Sequence, residues 1–403
     1  MYSCQWARVG RSLLKHSSAV FGASIITSQI AGASRVPLHV EAPSSRLVRL
    51  SLNENPYGPS PDVAEAIQSE FNRLNRYADS EAALHLTEQI ATYEHLPKEQ
   101  VVLGEILDFL GLYLGSQGGP GGEFIYSTPG YLALIDAAAR VGGVGVPVPL
   151  NAQYQNDLPA LTGKVNQRTR AIYLVNPHNP TGTVNDAEEF KRFLRKNSQN
   201  AIVIVDEAYL EYTADFMSRS AVSLLRDGAN VMVFRTFDKI HALAGLPIGY
   251  VLAPRALADS LRKQGAGDAE SLGRLNIIAA SAALGDIAQM DRTRKAVAHE
   301  RHIWLSVLDD LKLQHSEPNA NFIFFNARMP QPQLAAAMLS QGIDIGRSHP
   351  PYANWARITI GLPEENRRAQ AALQHALEGT VAHSSGAITN RKTSFNWQET
   401  AGL

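Results

Sequence analysis

Ala201-Ile202-Val203-Ile204-Val205-Asp206-Glu207-Ala208-Tyr209 is a short apolar run that ends abruptly in two carboxylates and a tyrosine. A run this uniformly rich in Val and Ile, with no alternation of polar residues, reads as a strand buried on both faces. Six more segments read as strands of one sheet: Val101–Leu103, Glu123–Tyr126, Val144–Val148, Ala171–Val175, Val231–Arg235 and Tyr250–Ala253. Helical patterns such as Tyr131–Val141 and Asp186–Arg195 lie between them. Strands alternating with helices imply a mostly parallel sheet covered on both faces, the α/β class. In such sheets ligands bind beyond the carboxyl ends of the strands, which is where Asp206 falls.

After Pro254 the pattern changes. Ala256–Lys263 and Asn276–Leu311 read as helices, and Asn321–Asn326, Ile343–Ile345 and Ala356–Ile360 as strands of a smaller sheet. A last helix is expected over Glu364–Leu377, and the polar tail from His383 is expected to lack order. The organisation read from the chain is a large domain over 73–265, a smaller α+β domain over 44–72 and 266–380, and a tail over 381–403.

The 403 residues are 45% hydrophobic, enough for a sizeable core. With 37 basic and 38 acidic residues, the charge balance gives no reason to expect nucleic acid or an anionic membrane surface as a partner. Cys4 is the one cysteine, so an internal disulfide is excluded, and the twelve histidines show no metal-ligand spacing. The first 33 residues differ from the rest. They hold no acid, carry Arg8, Arg11 and Lys15, and run through an apolar stretch from Ser17 to Ile30 to Ala31-Gly32-Ala33. That is the pattern of a cleavable export signal. Gly10-Arg11-Ser12-Leu13-Leu14-Lys15 resembles a twin-arginine signal with its first arginine lost, which would send the protein to the periplasm. A mitochondrial presequence, or an extended start in a cytoplasmic protein, fits the same composition.

Three motifs sit just beyond strands. Asn176-Pro177-His178-Asn179-Pro180-Thr181-Gly182 follows one, Asp206-Glu207-Ala208-Tyr209 the next, and Thr236-Phe237-Asp238-Lys239 the third. Singly, each has an ordinary reading as a turn, a solubilising strand end or a solvated loop lysine. Together, in this order, and with Leu52-Asn53-Glu54-Asn55-Pro56-Tyr57, Arg76-Tyr77, Thr128-Pro129-Gly130-Tyr131 and Arg357-Ile358-Thr359-Ile360-Gly361, they carry a resemblance. From Leu50 to Leu377 the chain resembles the class I/II, fold-type I aminotransferases that use pyridoxal 5'-phosphate, and most of all their histidinol-phosphate aminotransferase branch.

The resemblance implies roles. Lys239 would hold the cofactor as a Schiff base and then shuttle a proton. Asp206 would pair with the pyridine nitrogen, Asn179 and Tyr209 would bond the ring oxygen, and Tyr131 would stack on the ring. Thr236 would donate to the phosphate, and Tyr77 would reach the phosphate of a neighbouring subunit, implying a homodimer with shared sites. Arg357 would clamp the substrate carboxylate, with Tyr57 and Asn55 near the entrance. The reaction implied is transfer of an amino group between an amino acid or related amine and a 2-oxo acid. A lyase, decarboxylase or racemase on the same scaffold, or a non-catalytic relative binding a ligand in the old cleft, stays open at this point.

The chain departs from the family where the cofactor phosphate would sit. Ile106 and Leu107 replace small residues at a helix start, Asp238 replaces a serine, and Pro247 replaces an arginine. On the substrate side, Gly346 takes a basic position and Arg347 follows it.

Overall fold

The computed structural model of the chain describes residues 47–389, all within one compact unit. The export-signal reading of residues 1–33 lies outside the described residues. Among the described residues no helix is long and apolar enough to cross a membrane.

Among the described residues eleven strands occur in chain order: β1 Val48–Leu50, β2 Val101–Leu103, β3 Glu123–Thr128, β4 Val144–Pro149, β5 Thr169–Val175, β6 Ile202–Asp206, β7 Val231–Thr236, β8 Gly249–Leu252, β9 Phe322–Asn326, β10 Ile343–Ile345 and β11 Trp355–Thr359. Seven of them form the central sheet, in the order β2-β8-β7-β6-β5-β3-β4. Only β8 runs against its neighbours, so the sheet is mostly parallel, as the Val/Ile runs imply. Successive β6 residues join opposite cores. Ile202 and Ile204 pack into one hydrophobic cluster, and Val203 and Val205 into the other. Each fully buried Val, Ile or Leu contributes roughly 1.5–3 kcal/mol, and β6 places four such residues in a row.

Two small pairings complete the fold, parallel β1-β10 and antiparallel β9-β11. They bring the stretch around Leu50 and the stretch around Arg357 to the same face of the molecule. The helices Ile287–Asp310 and Pro363–Thr389 are joined by a buried polar clip. Trp304 Nε1 donates to Asn366 Oδ1 at 3.0 Å, and Asn366 Nδ2 donates to Glu300 Oε2 at 2.7 Å.

Two expectations need correction. The helix read as Asn276–Leu311 is two helices, Arg274–Gly285 and Ile287–Asp310. Asp286 leaves helical geometry (φ -100°, ψ 69°), and its carboxylate accepts from Gln289 N at 2.9 Å, capping the second helix. The last helix does not stop near Leu377 but continues through Thr389, taking in His383. No proline interrupts the stretch, and extending an existing helix avoids the cost of nucleation. The rest of the tail lies outside the described residues.

Candidate active site

Strands β5, β6 and β7 are neighbours in one sheet and point the same way, so the segments after their carboxyl ends must meet. A cavity of about 240 Å³ lies there. Seven of the residues singled out by the sequence line it: Lys239, Asp206, Asn179, Tyr209, Tyr131, Thr236 and Arg357. Asn55 lines an adjoining cavity of about 560 Å³, and Asp238 lines both. Tyr57 and Tyr77 are in the lining of neither. Tyr57 packs half-buried on the core, and Tyr77 is 77% exposed.

Asp206 ends β6 and is buried. Its Oδ2 accepts from the Tyr173 hydroxyl at 2.9 Å and its Oδ1 from Ala208 N at 3.0 Å. Burial pushes this carboxyl up to about 6, with the Ala208 amide, Tyr173 and the Lys239 charge pulling the other way. The turn that follows is held from beneath. Fully buried Arg235 on β7 meets Glu207 at 2.9 Å, Glu94 at 3.2 Å and Glu211 at 3.6 Å. Glu207 also accepts from Ala221 N at 2.7 Å and from Ser220 Oγ at 2.9 Å. Asp206 and Tyr209 therefore rise from a pinned turn.

The segment after β5 folds back on itself. Gly182 N donates to His178 O at 2.6 Å, and His178 N donates to Thr183 O at 2.8 Å. Gly182 has φ +73°, and a Cβ there would stand 2.7 Å from Pro318, so only glycine fits. The turn presents Asn179, whose Oδ1 accepts from Arg357 Nη1 at 2.7 Å. Arg357 Nη2 donates to Ser51 O at 2.7 Å, while its buried Nε has no partner among the described residues. Burial lowers the Arg357 pKa, and Arg347, also in the lining, pushes the same way. Two guanidinium groups thus face one end of the cavity.

The opposite end is acidic. Glu105 follows β2, and its Oε1 lies 3.4 Å from Thr236 Oγ1. Burial and then the Asp238 charge push its carboxyl up to about 7. Asp238 is itself raised, chiefly by burial, and its Oδ1 is buried with no hydrogen-bond partner. Ile106 is buried at the N-cap position of the helix Leu107–Ser116, without a side-chain cap.

Sequence reasoning did not single out three of these residues. Asn53 donates from Nδ2 to the Tyr209 hydroxyl at 3.1 Å and sits at φ 56°. Its signal was its place inside Leu52–Tyr57, together with the tolerance of asparagine for that backbone region. Tyr173 carried a weaker signal, a hydroxyl in an otherwise apolar strand. Glu105 stood in a stretch where the neighbouring Ile and Leu drew attention instead.

Residues 45–373 match the family model "Aminotransferase class I and II". The chain is 33% identical to an aromatic amino acid aminotransferase of Thermobifida fusca, over 81% of this chain and 89% of that protein. It is 30% identical to a histidinol-phosphate aminotransferase of Moorella thermoacetica, over 82% of this chain and 86% of the other. Among solved structures, it is similar to a histidinol-phosphate aminotransferase of Sinorhizobium meliloti in complex with pyridoxal-5'-phosphate. The TM-score is 0.75 at 26% identity, covering 83% of this chain and 92% of the other.

Proposed function

The chain belongs to the class I and II aminotransferases and is a pyridoxal-phosphate-dependent aminotransferase, and from that premise we propose that it takes its amino group from an α-amino acid held by Arg357. The observation that carries this reading is the orphaned Arg357 Nε at the cationic end of the cavity. A buried guanidinium with an unused donor is costly to leave unpaired, and a substrate carboxylate would complete it in a planar, two-pronged fit.

The ring end of the cavity fits the cofactor. When bound, pyridoxal phosphate supplies an electron sink for the charge left on the substrate α-carbon. Lys239 Nζ is the amine that would hold its aldehyde carbon and, once freed, would carry the proton between the substrate α-carbon and that aldehyde carbon. Asp206 would keep the pyridine nitrogen protonated, and such a cation would offset the burial that now raises the acid. Asn179 and Tyr209 have the right atoms left over. Asn179 Oδ1 is taken by Arg357, which leaves its amide hydrogens to donate. The Tyr209 hydroxyl already accepts from Asn53, which leaves its proton to donate. Both can then bond the ring oxygen. Tyr131, in the lining and 45% exposed, would cover the ring, a role supported by its place in this cavity. The phosphate end fits less well. The helix start at Leu107 and the Thr236 hydroxyl suit a phosphate, whereas Glu105 and Asp238 oppose one.

Two further assignments belong to the same proposal. Tyr77 serves the site of a second subunit, which is supported by its exposure outside its own cavity. Asn55, which donates to Ile240 O at 2.9 Å and accepts from Tyr57 N, ties the Leu52–Tyr57 stretch to the loop carrying Lys239 and shapes the entrance. The test is a half-reaction panel. Protein loaded with cofactor is mixed with single amino acids, and loss of the visible absorption band of lysine-bound cofactor is followed. Aromatic amino acids and histidinol phosphate belong in the panel because the relatives bear both names. Band loss with no α-amino acid, or with amines lacking a carboxylate equally well, would overturn the proposal.

A further inference from the structure

We propose that Glu105 governs how tightly this chain holds the cofactor phosphate, because the phosphate can settle only as Glu105 gives up its negative charge by taking a proton. The inference rests on pyridoxal phosphate being the cofactor and adds a cost specific to this chain.

The geometry is direct. A phosphate at this end needs the Thr236 hydroxyl, which can donate only one proton at a time. Glu105 Oε1 lies 3.4 Å from that hydroxyl and 3.3 Å from the Cβ position of Gly249, so it stands where a phosphate oxygen would compete. The backbone of the segment is fixed by Gly104 N donating to Gly249 O at 2.8 Å. The groups whose charges bear on Glu105 are Asp238 on the loop after β7, Lys239 on the same loop, and Asp206 at the end of β6. Tyr131 feels Glu105 in turn from the segment after β3. Of these only Lys239 is a cation, and it is the residue committed to the other end of the cofactor. Arg347 and Arg357 stand among the substrate-side groups. A phosphate dianion would therefore meet two carboxylates and, among the described residues of the lining, no guanidinium on that side.

Burial and Asp238 already make Glu105 easy to protonate. A dianion arriving beside it raises its proton affinity further. Protonated, Glu105 becomes a hydrogen-bond donor to the phosphate rather than a rival for Thr236. Binding then takes up a proton from solvent, and affinity falls as pH rises. With one proton linked, the limit is about tenfold per pH unit.

The test measures pyridoxal phosphate affinity of the full chain from pH 6 to pH 9 by titration calorimetry in two buffers of different ionisation heat, which counts protons taken up. Pyridoxal, which lacks the phosphate, is the control. Glu105→Gln keeps the shape and removes the charge, and Asp238→Asn is the second variant. The expected result is proton uptake by the unaltered chain and weaker binding at high pH. Glu105→Gln should bind pyridoxal phosphate at least about tenfold more tightly at pH 8 with a flattened pH profile, while its pyridoxal affinity moves little. Matching pH profiles for the unaltered chain and Glu105→Gln would overturn the proposal. So would a dependence on added magnesium or potassium in place of pH, since a cation would then be neutralising the pair. If neither chain binds pyridoxal phosphate at any pH, the cofactor reading fails along with the inference. If both bind it with flat profiles, only the inference fails.

Discussion

Arg357 Nη1 stands 2.7 Å from Asn179 Oδ1, joining two residues 178 positions apart in the chain. The contact links the proposed holder of the substrate carboxylate to a proposed holder of the cofactor ring. Each fixes the other: Asn179 sets the angle of the guanidinium, and the guanidinium orients the amide so that its hydrogens point elsewhere. Arg357→Lys is expected to lose this coupling, because a point-like ammonium cannot serve Asn179, Ser51 and a carboxylate together. The lost charge-assisted bonds are worth about 1.5–3 kcal/mol. The specificity constant kcat/KM for an amino acid should fall roughly 10- to 100-fold, with the bound-cofactor absorption band retained. Unchanged kcat/KM would count against Arg357 as the carboxylate holder.

Asp206 combines deep burial with a carboxyl raised to about 6. The sign of its effect on stability follows. Its folded pKa lies above its ordinary value of 3.8, so the folded cofactor-free chain prefers the protonated acid. Stability is then lost as pH rises through about 6, by on the order of 3 kcal/mol for a shift of about two pH units. Asp206→Asn keeps the acceptor for Ala208 N, turns the Tyr173 contact into one that the amide donates, and removes the charge. It should raise the cofactor-free melting temperature at pH 8 relative to pH 5, while cutting transamination by orders of magnitude. Thermal melts at the two pH values read the first effect and a steady-state assay the second.

The buried arginine beneath the site offers a different kind of test. Arg235 holds Glu94, Glu207 and Glu211 together with almost no exposure. Arg235→Met would leave these acids without their shared cation, at a cost of about 3–5 kcal/mol. The loss should grow from pH 6 to pH 8, because burial already raises the Glu207 carboxyl against the pull of Arg235, and removing that cation favours its protonated form further. Denaturant unfolding at both pH values measures the difference. An equal loss at both would mean that the acids do not carry the effect.

These contacts also mark how far the sequence can be read. Strand β2 begins and ends where its apolar run does, since a strand buried on both faces writes its burial directly into consecutive Val and Leu, whereas β10 is legible from the alternation Ile343-Asp344-Ile345, whose two isoleucines are buried. Asp206 was legible because it closes an apolar run, and Asn179 and Lys239 because each stands within four residues of the end of one. Asn53 was not, because its role depends on a long-range bond to Tyr209, and local patterning does not encode a partner 156 residues away. The break at Asp286 was hidden for a related reason: the apolar periodicity continues across it, and only the cap reveals two helices. Asp238 was flagged as a departure, but which way it points depends on β8 returning antiparallel beside β7, and no single residue states that. For Asn53 the expected cost can be stated. Asn53→Ala removes the bond to Tyr209 and places alanine at φ 56°, together about 1–2 kcal/mol. Differential calorimetry should show the drop in melting temperature, and cofactor affinity should weaken with it.

Tyr77 allows a decision between one-subunit and two-subunit sites. It is exposed and stands outside the cavity of its own chain, although its backbone oxygen is held by Arg274. If it completes a partner's site, a subunit carrying Tyr77→Ala spoils its neighbour's cofactor phosphate contact, whereas Lys239→Ala spoils only its own site. Each variant alone should then show low activity. Mixing them should restore it, because a mixed dimer contains one site with Lys239 from the Tyr77→Ala subunit and Tyr77 from the Lys239→Ala subunit. Random pairing at equal amounts makes half of the dimers mixed, so roughly a quarter of all sites should be intact. Refolding or co-expressing the two variants with different tags, purifying the doubly tagged species and assaying it gives the answer. Activity per mixed dimer near half that of the unaltered dimer is the expected result. Activity no higher than the sum of the two variants would place Tyr77 outside the neighbouring site.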